Sequence, residues 1–414
     1  MKKKKIIGIC CIMAVIIIFL VVSVIIINAN DEKKEMNAGN MKSNSSEATE
    51  GGSESGNSEV MLAETEGEAG ENTVETPAVS TENWDLTKVN IVYDTNNVPV
   101  PVPKGYVASG ADGEHTVNTG FVIYQGDGEV NNDNAWDESV SRNQWVWVPV
   151  YDSSRIYSID ANGKKVAKLY NYSSTGRSTY SNSNYEPGIV TNYDNEKYFA
   201  RYNLIGMTRD KLYKELQVEY DSTIESIEKY GGFYIGRYET GDLSSKVPVV
   251  KRMNTSNDRQ NWYTMNSKMK YLGANSNVKA NMIWGSLWDE TLQWLVDTEC
   301  KTYEQVGTDS TSWGNYYNAT FEYTTTGGST STKSASSSTR IPTGSTEYTN
   351  ANNIYDMAGN VWDWTLEANG AYNRRCRGGS CDVNGTSHLA DYRYGGVPSG
   401  SYDNIGFRAY FYIK

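Results

Sequence analysis

Histidine is almost absent: His115 and His388 are the only two in 414 residues. A zinc enzyme with His-x-x-x-His spacing is thereby excluded. Also missing are the Gly-x-x-x-x-Gly-Lys-Ser/Thr loop that cradles phosphates and the Gly-x-Ser-x-Gly turn that exposes a nucleophilic serine. Cysteine is scarce, five in all, and Cys10 and Cys11 sit in an apolar N-terminal run. The other three, Cys300, Cys376 and Cys381, are too few for a disulfide-stapled scaffold, so an ordinary core must hold the fold. No basic stripe is present either. Of the net charge of −12, residues 31–83 carry −10 and the N-terminal lysines +4, which leaves −6 for 84–414. A mildly acidic domain of this kind argues against nucleic acid as a partner.

What is present begins with a membrane signal. Lysines at 2–5 precede a charge-free run of 22 residues, 6–27, rich in Ile and Val. That length crosses a bilayer as a helix and exceeds the apolar core of an ordinary signal peptide, about 7–15 residues. The expectation is an uncleaved anchor in 1–30, with the N-terminus cytoplasmic, the cell membrane as location and the rest of the chain outside. Residues 31–83 are dominated by Ser, Glu, Gly and Asn and bury too little to fold. They read as a disordered acidic stalk spanning roughly 40 Å r.m.s..

From Trp84 the chain turns Tyr-, Trp-, Asn- and Gly-rich, and 84–414 reads as one α+β domain with much irregular loop. Alternating Pro99, Pro101 and Pro103 predict an extended segment. "GFVIY" at 120–124, "QWVWVPV" at 144–150 and "GGFYIGRYET" at 231–240 predict strands. Leu212, Leu216, Ile224 and Ile227 predict a helix over 209–229, with Thr208 as N-cap and Gly231 past its end. A second helix is predicted over 287–297, with Ser286 and Asp289 as a capping pair. Residues 324–340 predict a long Ser/Thr loop.

The C-terminal sixty residues carry the chemistry. "NNIYDMAGNVWDWT" (352–365), "RRCRGGS" (374–380) and "GFR" (406–408) together resemble the formylglycine-generating enzyme (sulfatase-modifying factor) family, an irregular variant of the C-type-lectin fold. The resemblance implies a calcium site with Asp356, Gly359, Val361 and Asp363 as ligands, the middle two through backbone oxygen. The spacing of Asp356 and Asp363 around a turn suits a hard cation. It also implies a turn at Arg377–Ser380 against which Gly406, Phe407 and Arg408 pack, with Trp362 and Trp364 as core. In the family's enzymes two cysteines, third and eighth after the serine of this motif, bind copper and perform an oxidation. Here those positions are Val383 and His388, so no copper is expected. A catalytic alternative, an oxidoreductase acting on protein cysteine, would need a thiol pair drawn from Cys300, Cys376 and Cys381. If 376–381 is extended, its ends lie roughly 16 Å apart, too far for a disulfide. A Cys381–His388 nucleophile pair has no third group to orient the histidine. A structural surface protein is the remaining alternative.

Residues 381–406 contain no Lys, Glu, Gln, Met or Trp. Those are the types that cannot be reached by changing the adenines of an Asn codon. The segment resembles the variable region of proteins diversified by a retroelement, in which a rigid fold presents a changeable C-terminal surface. Tyr, Ser, Gly and Asn are also the residues of adaptable binding surfaces. The expected face, 372–406, offers Cys381, Asp382, Val383, Asn384, His388, Tyr392, Tyr394, Tyr402 and Asp403 to an extracellular protein or glycan.

Overall fold

The computed structural model describes residues 79–414, apart from 181–185, 243–244, 246, 257–258 and 274–275. The expected span at 6–27 and nearly all of the stalk lie outside the described residues.

Ten strands build the two main sheets. They are β1 Tyr106–Ala108, β2 Val122–Gln125, β3 Gln144–Pro149, β4 Gly232–Gly236, β5 Val278–Met282, β6 Trp362–Asn369, β7 Asn373–Arg377, β8 Tyr394–Gly396, β9 Ile405–Phe407 and β10 Ala409–Ile413. The larger sheet runs β5-β10-β4-β3-β2-β1, antiparallel throughout. Every residue of β3, β4 and β10 is buried, which explains why these strands read as unbroken apolar and aromatic runs rather than as alternation. Phe411 of β10 packs edge-on to Trp145 at 4.7 Å and close to Tyr234 at 4.8 Å, joining the middle strands through their rings.

Helix α1, Arg209–Tyr230, lies on this sheet through β4 and β10. Its predicted face is the buried one: Leu212, Leu216, Ile224 and Ile227 are all inside. The Thr208 hydroxyl oxygen accepts from the Lys211 N–H, and Gly231 closes the helix in the left-handed region at φ 82°. Helix α2 is Trp262–Met269, and helix α3 is Gly285–Asp297, in contact with both β3 and β6.

The start of α3 corrects one expectation. Ser286 is not a cap but the second helical residue. The Glu186 carboxylate does the capping, accepting from the N–H groups of Gly285 and Ser286. The Ser/Thr loop is corrected too: Phe321–Thr324 and Thr330–Lys333 pair as a hairpin around Gly328, which sits at φ 80°. The β-branched threonines favour the pleat, and the buried Lys333 ammonium pins it by donating to the carbonyls of Tyr316 and Ala319. The proline-alternating stretch is likewise a strand, Pro99–Pro103, paired with Val89–Tyr93.

The smaller sheet runs β8-β7-β6-β9, with β6 and β9 parallel. Buried charge holds it to α3. Asp289 of α3 takes Arg377 on Oδ1 at 2.6 Å and Arg393 on Oδ2, and both Asp289 and Arg377 are fully buried. Removing that carboxylate takes away the nearest acid from both guanidinium groups and leaves Glu367 as the acid they share. Asp289→Ala is predicted to cost about 3–5 kcal/mol in urea unfolding. Asp297→Ala, which removes a half-exposed partner of Arg155, is predicted to cost under about 1 kcal/mol. Equal losses for the two variants would contradict this assignment of the buried pair.

Candidate functional site

The segment that leads into β6, 356–363, is built on backbone that few residues adopt. Asp356, Gly359 and Asn360 sit at φ 61°, 76° and 60°. At Gly359 a side chain would collide with the Asn315 backbone, so the position requires glycine. Asn360 is the hub. Its Nδ2 donates to Glu239 Oε2 at 2.6 Å, and its Oδ1 accepts from Asn315 Nδ2 and from the Ile341 N–H, both at 3.0 Å. The Val361 N–H donates to Glu239 Oε1 at 3.2 Å.

Around this hub lie three buried carboxylates. Glu239 is used as described. Asp356 Oδ2 accepts from the Thr343 hydroxyl at 2.8 Å and the Gly344 N–H at 3.0 Å, while its Oδ1 receives no hydrogen bond. Neither oxygen of Asp363 receives one, though Arg408 Nε stands 3.5 Å from Oδ2. Burial pushes Asp363 up to about 7 even against the pull of Arg408, and burial with the charges of Asp356 and Asp363 raises Glu239 well above the usual carboxylate range. Three acids share one guanidinium, so the pocket is short of positive charge. Among the described residues no set of three or more His, Cys, Asp or Glu side chains converges on a cation position. A cation held here would therefore draw on Asp356 and Asp363 together with backbone oxygens such as those of Gly359 and Val361. The unpartnered oxygens of the two aspartates fit that demand.

The Arg377–Ser380 turn forms as expected, with Gly378 at φ 88° and Gly379 at φ 78°. The Gly378 carbonyl accepts from the Gly359 N–H at 2.7 Å and the Tyr316 hydroxyl at 2.8 Å, which locks the two motifs together. The C-terminal "GFR" differs from expectation. It does not pack on this turn; β9 pairs with the opposite edge of β6, Gly406 facing Asp363. Arg408 then donates to the Gly236 carbonyl at 3.0 Å and the Tyr355 carbonyl at 2.7 Å. β6 lies between the two motifs because its parallel edge is the one left open for the returning chain.

The tail residues divide by exposure. Asp382, Asn384, Tyr392, Tyr394 and Asp403 are exposed, and Val383, His388 and Tyr402 are half-buried. Three tail rings gather over one indole. Tyr394 stacks on Trp362 at 5.1 Å, with His388 at 5.7 Å and Tyr392 at 5.9 Å. His388 and Tyr392 also touch, at 4.8 Å. Trp362 is only 3% exposed, so it is core by burial and the floor of this aromatic group by position. Asp382 accepts from Ser380 and from Asn404 Nδ2 at its margin. Burial lowers the His388 pKa, favouring the neutral imidazole. Aromatic faces ringed by Asp and Asn suit stacking plus hydrogen bonding to a polar ligand.

Cys381 departs from its expected place on this face. It is 6% exposed, with its thiol directed at the Ser338 carbonyl 3.4 Å away. The turn after Gly379 rolls the chain inward at that residue, and its N–H donates to the Asn360 carbonyl. Cys376 is buried in β7, and Cys300, Cys376 and Cys381 are all free thiols. Burial holds Cys376 well above the ordinary thiol range and pushes Cys381 up to about 12. Burial thus favours the protonated thiol at both, the poorer nucleophile.

Sequence reasoning missed Glu239, the platform role of Trp362 and the hub role of Asn360. The one available signal for Glu239 was a charged pair, Arg237 and Glu239, continuing an apolar strand with no turn residue between them.

No curated protein matches the chain. Among solved structures it is similar to Treponema denticola variable protein 1 at 15% identity and TM-score 0.30, over 44% of this chain and 85% of that one. It is similar to CarF at 16% identity and TM-score 0.29, over 44% and 87% of the two chains. A third similar structure is PvdO from Pseudomonas aeruginosa, at 15% identity and TM-score 0.24, over 44% and 82%. The sulfatase-modifying factor enzyme 1-like domain matches residues 99–411, well over half of the chain, and takes in both sheets, the Asn360 hub and the aromatic tail. By that match the chain belongs to the sulfatase-modifying factor enzyme family, the formylglycine-generating type.

Proposed function

We propose that this protein is a membrane-anchored, extracellular ligand-binding protein that uses the family's fold without its catalysis. The observation that carries the reading is the gathering of His388, Tyr392 and Tyr394 over Trp362. All three come from the segment that lacks Lys, Glu, Gln, Met and Trp. The frame beneath them is fixed by backbone hydrogen bonds, so the ring positions accept other side chains without moving it. A diversified surface is the use such an arrangement supports. The ligand is an extracellular protein or a glycan. The non-catalytic part of the reading is supported by Val383 and His388 at the oxidase positions and by the buried, neutral thiols.

The test separates binding face from core. Asp382, Asn384, Tyr392 and Tyr394 are replaced together by serine in the full-length protein. Each exposed substitution shifts stability by under about 0.5 kcal/mol, so the melting temperature is predicted to move by a few degrees at most. Retention of glycans or proteins on printed arrays is predicted to be lost, because aromatic anchors carry most interface energy. A collapsed melting temperature, or an array pattern identical to that of the parent, would sink the reading.

Calcium is the cation proposed for the Asp356–Asp363 turn, as a structural ion that neutralises the surplus carboxylate. It would bind the folded state alone and stabilise it by about 2.7 kcal/mol at a hundred times its dissociation constant. Asp363→Ala is predicted to erase that calcium-dependent increment in thermal unfolding. If chelator and calcium give the same melting temperature in the parent, the turn holds no calcium.

A further inference from the structure

The N-terminal half of α1, α2 and β5 enclose a cleft of about 590 Å³, away from the aromatic tail rings. Its floor is apolar: Leu212, Leu216, Met269 and Ala280 are each no more than 4% exposed. The helix register explains this, since Leu212 and Leu216 are one turn apart and face β5 and α2. Its rim is basic. Lys211, Lys214, Lys270 and Lys279 stand around it with Glu215 and Glu219. Glu219 is taken up by Lys279. Among the described residues no ion pair involves Lys211, Lys214 or Lys270. With Glu215 counted, the free rim carries +2 on a chain of net charge −12. Asn266 adds a buried side-chain oxygen without a hydrogen-bond partner in the cleft wall.

Apolar floor and lysine rim call for different halves of one ligand. Water on the floor is unfavourable, and three ammonium groups outside any ion pair at its edge attract an anion. The volume falls in the range of small-ligand sites, about 300–1,000 Å³. A nucleic acid would need a longer basic track and no greasy floor. We propose that this cleft binds a single-chain anionic amphiphile, a long-chain carboxylate or a lysophospholipid. The alkyl chain lies on half-buried Leu204 and Met207, with Leu212, Leu216, Met269 and Ala280 as the packed apolar backing, and the head group lies among Lys211, Lys214 and Lys270.

The experiment uses the full-length protein in phosphatidylcholine nanodiscs. Three diazirine-bearing probes share one dodecyl chain: dodecanoate, lauroyl-lysophosphatidic acid and dodecyltrimethylammonium. Crosslinked peptides are located by mass spectrometry. At least one anionic probe is expected to label 204–219 or 262–281, with the cationic probe far weaker. The stronger anionic probe identifies carboxylate or phosphate as the head group. Lys211→Glu, Lys214→Glu and Lys270→Glu combined are expected to cut that labelling about tenfold, from three exposed attractions turned to repulsions. The melting temperature of this variant is expected to match the parent. Equal labelling by the cationic probe, labelling confined to other peptides, or labelling that survives the triple charge reversal in a folded protein would overturn the proposal. Failure here leaves the tail-face reading untouched, because the two sites share no residue.

Discussion

The Glu239 carboxylate grips the Asn360 side chain and the Val361 N–H, and the second sheet depends on that grip. Glu239 lies just beyond β4 at the centre of the larger sheet, so its two bonds fix where the chain enters β6. β6 in turn is the middle strand that pairs with both β7 and β9. Trp362 and Trp364 are placed by its register, and the tail folds back over them. An apolar residue at 239 would leave the Asn360 Nδ2 and Val361 N–H donors buried without an acceptor, the costly case. The same choice creates a difficulty. Glu239, Asp356 and Asp363 are buried beside a single Arg408, and burial without full compensation is unfavourable. A bound cation or retained protons must complete the balance.

What was legible in the sequence was whatever rests on local bonds. Thr208, the Leu212–Leu216 spacing and Gly231 defined α1 because cap, face and stop all lie within the helix or beside it. The "NVWDW" and "RGGS" motifs were legible as frame because Gly359, just before the first, and Gly378 and Gly379, inside the second, sit at positive φ against backbone. What escaped rests on distant partners. The cap of α3 is Glu186, 100 positions from Ser286, so the nearby Ser286–Asp289 pattern was a false lead. Glu239 meets Asn360 across 121 positions. Cys381 looked like the first residue of an exposed tail, yet its N–H bond to Asn360 turns it inward. The Ser/Thr stretch hid a hairpin because the lysine that anchors it, Lys333, bonds to carbonyls of another loop.

The architecture separates two tasks. Backbone hydrogen bonds, positive-φ turns and buried ion pairs carry the frame, and the tail enters it through Arg393 and Asp391 rather than through the exposed rings. Of the nine expected contact residues, five present exposed side chains and three are half-buried, His388 against Trp362 and Tyr402 against Trp364. Cys381 alone belongs wholly to the frame. Cys376 and Cys381 are buried free thiols, and burial raises both above the ordinary thiol range.

That division is tested most directly by hydrogen exchange. Amide exchange is followed across 359–364 and 374–380 in the parent and in the variant with serine at 382, 384, 392 and 394. The account predicts the same slow exchange of these frame amides in both proteins, with changes confined to the tail. Faster exchange of the Val361 or Trp362 amide in the variant would show that the tail side chains hold the frame together, and the claim of a changeable surface on a fixed support would fall.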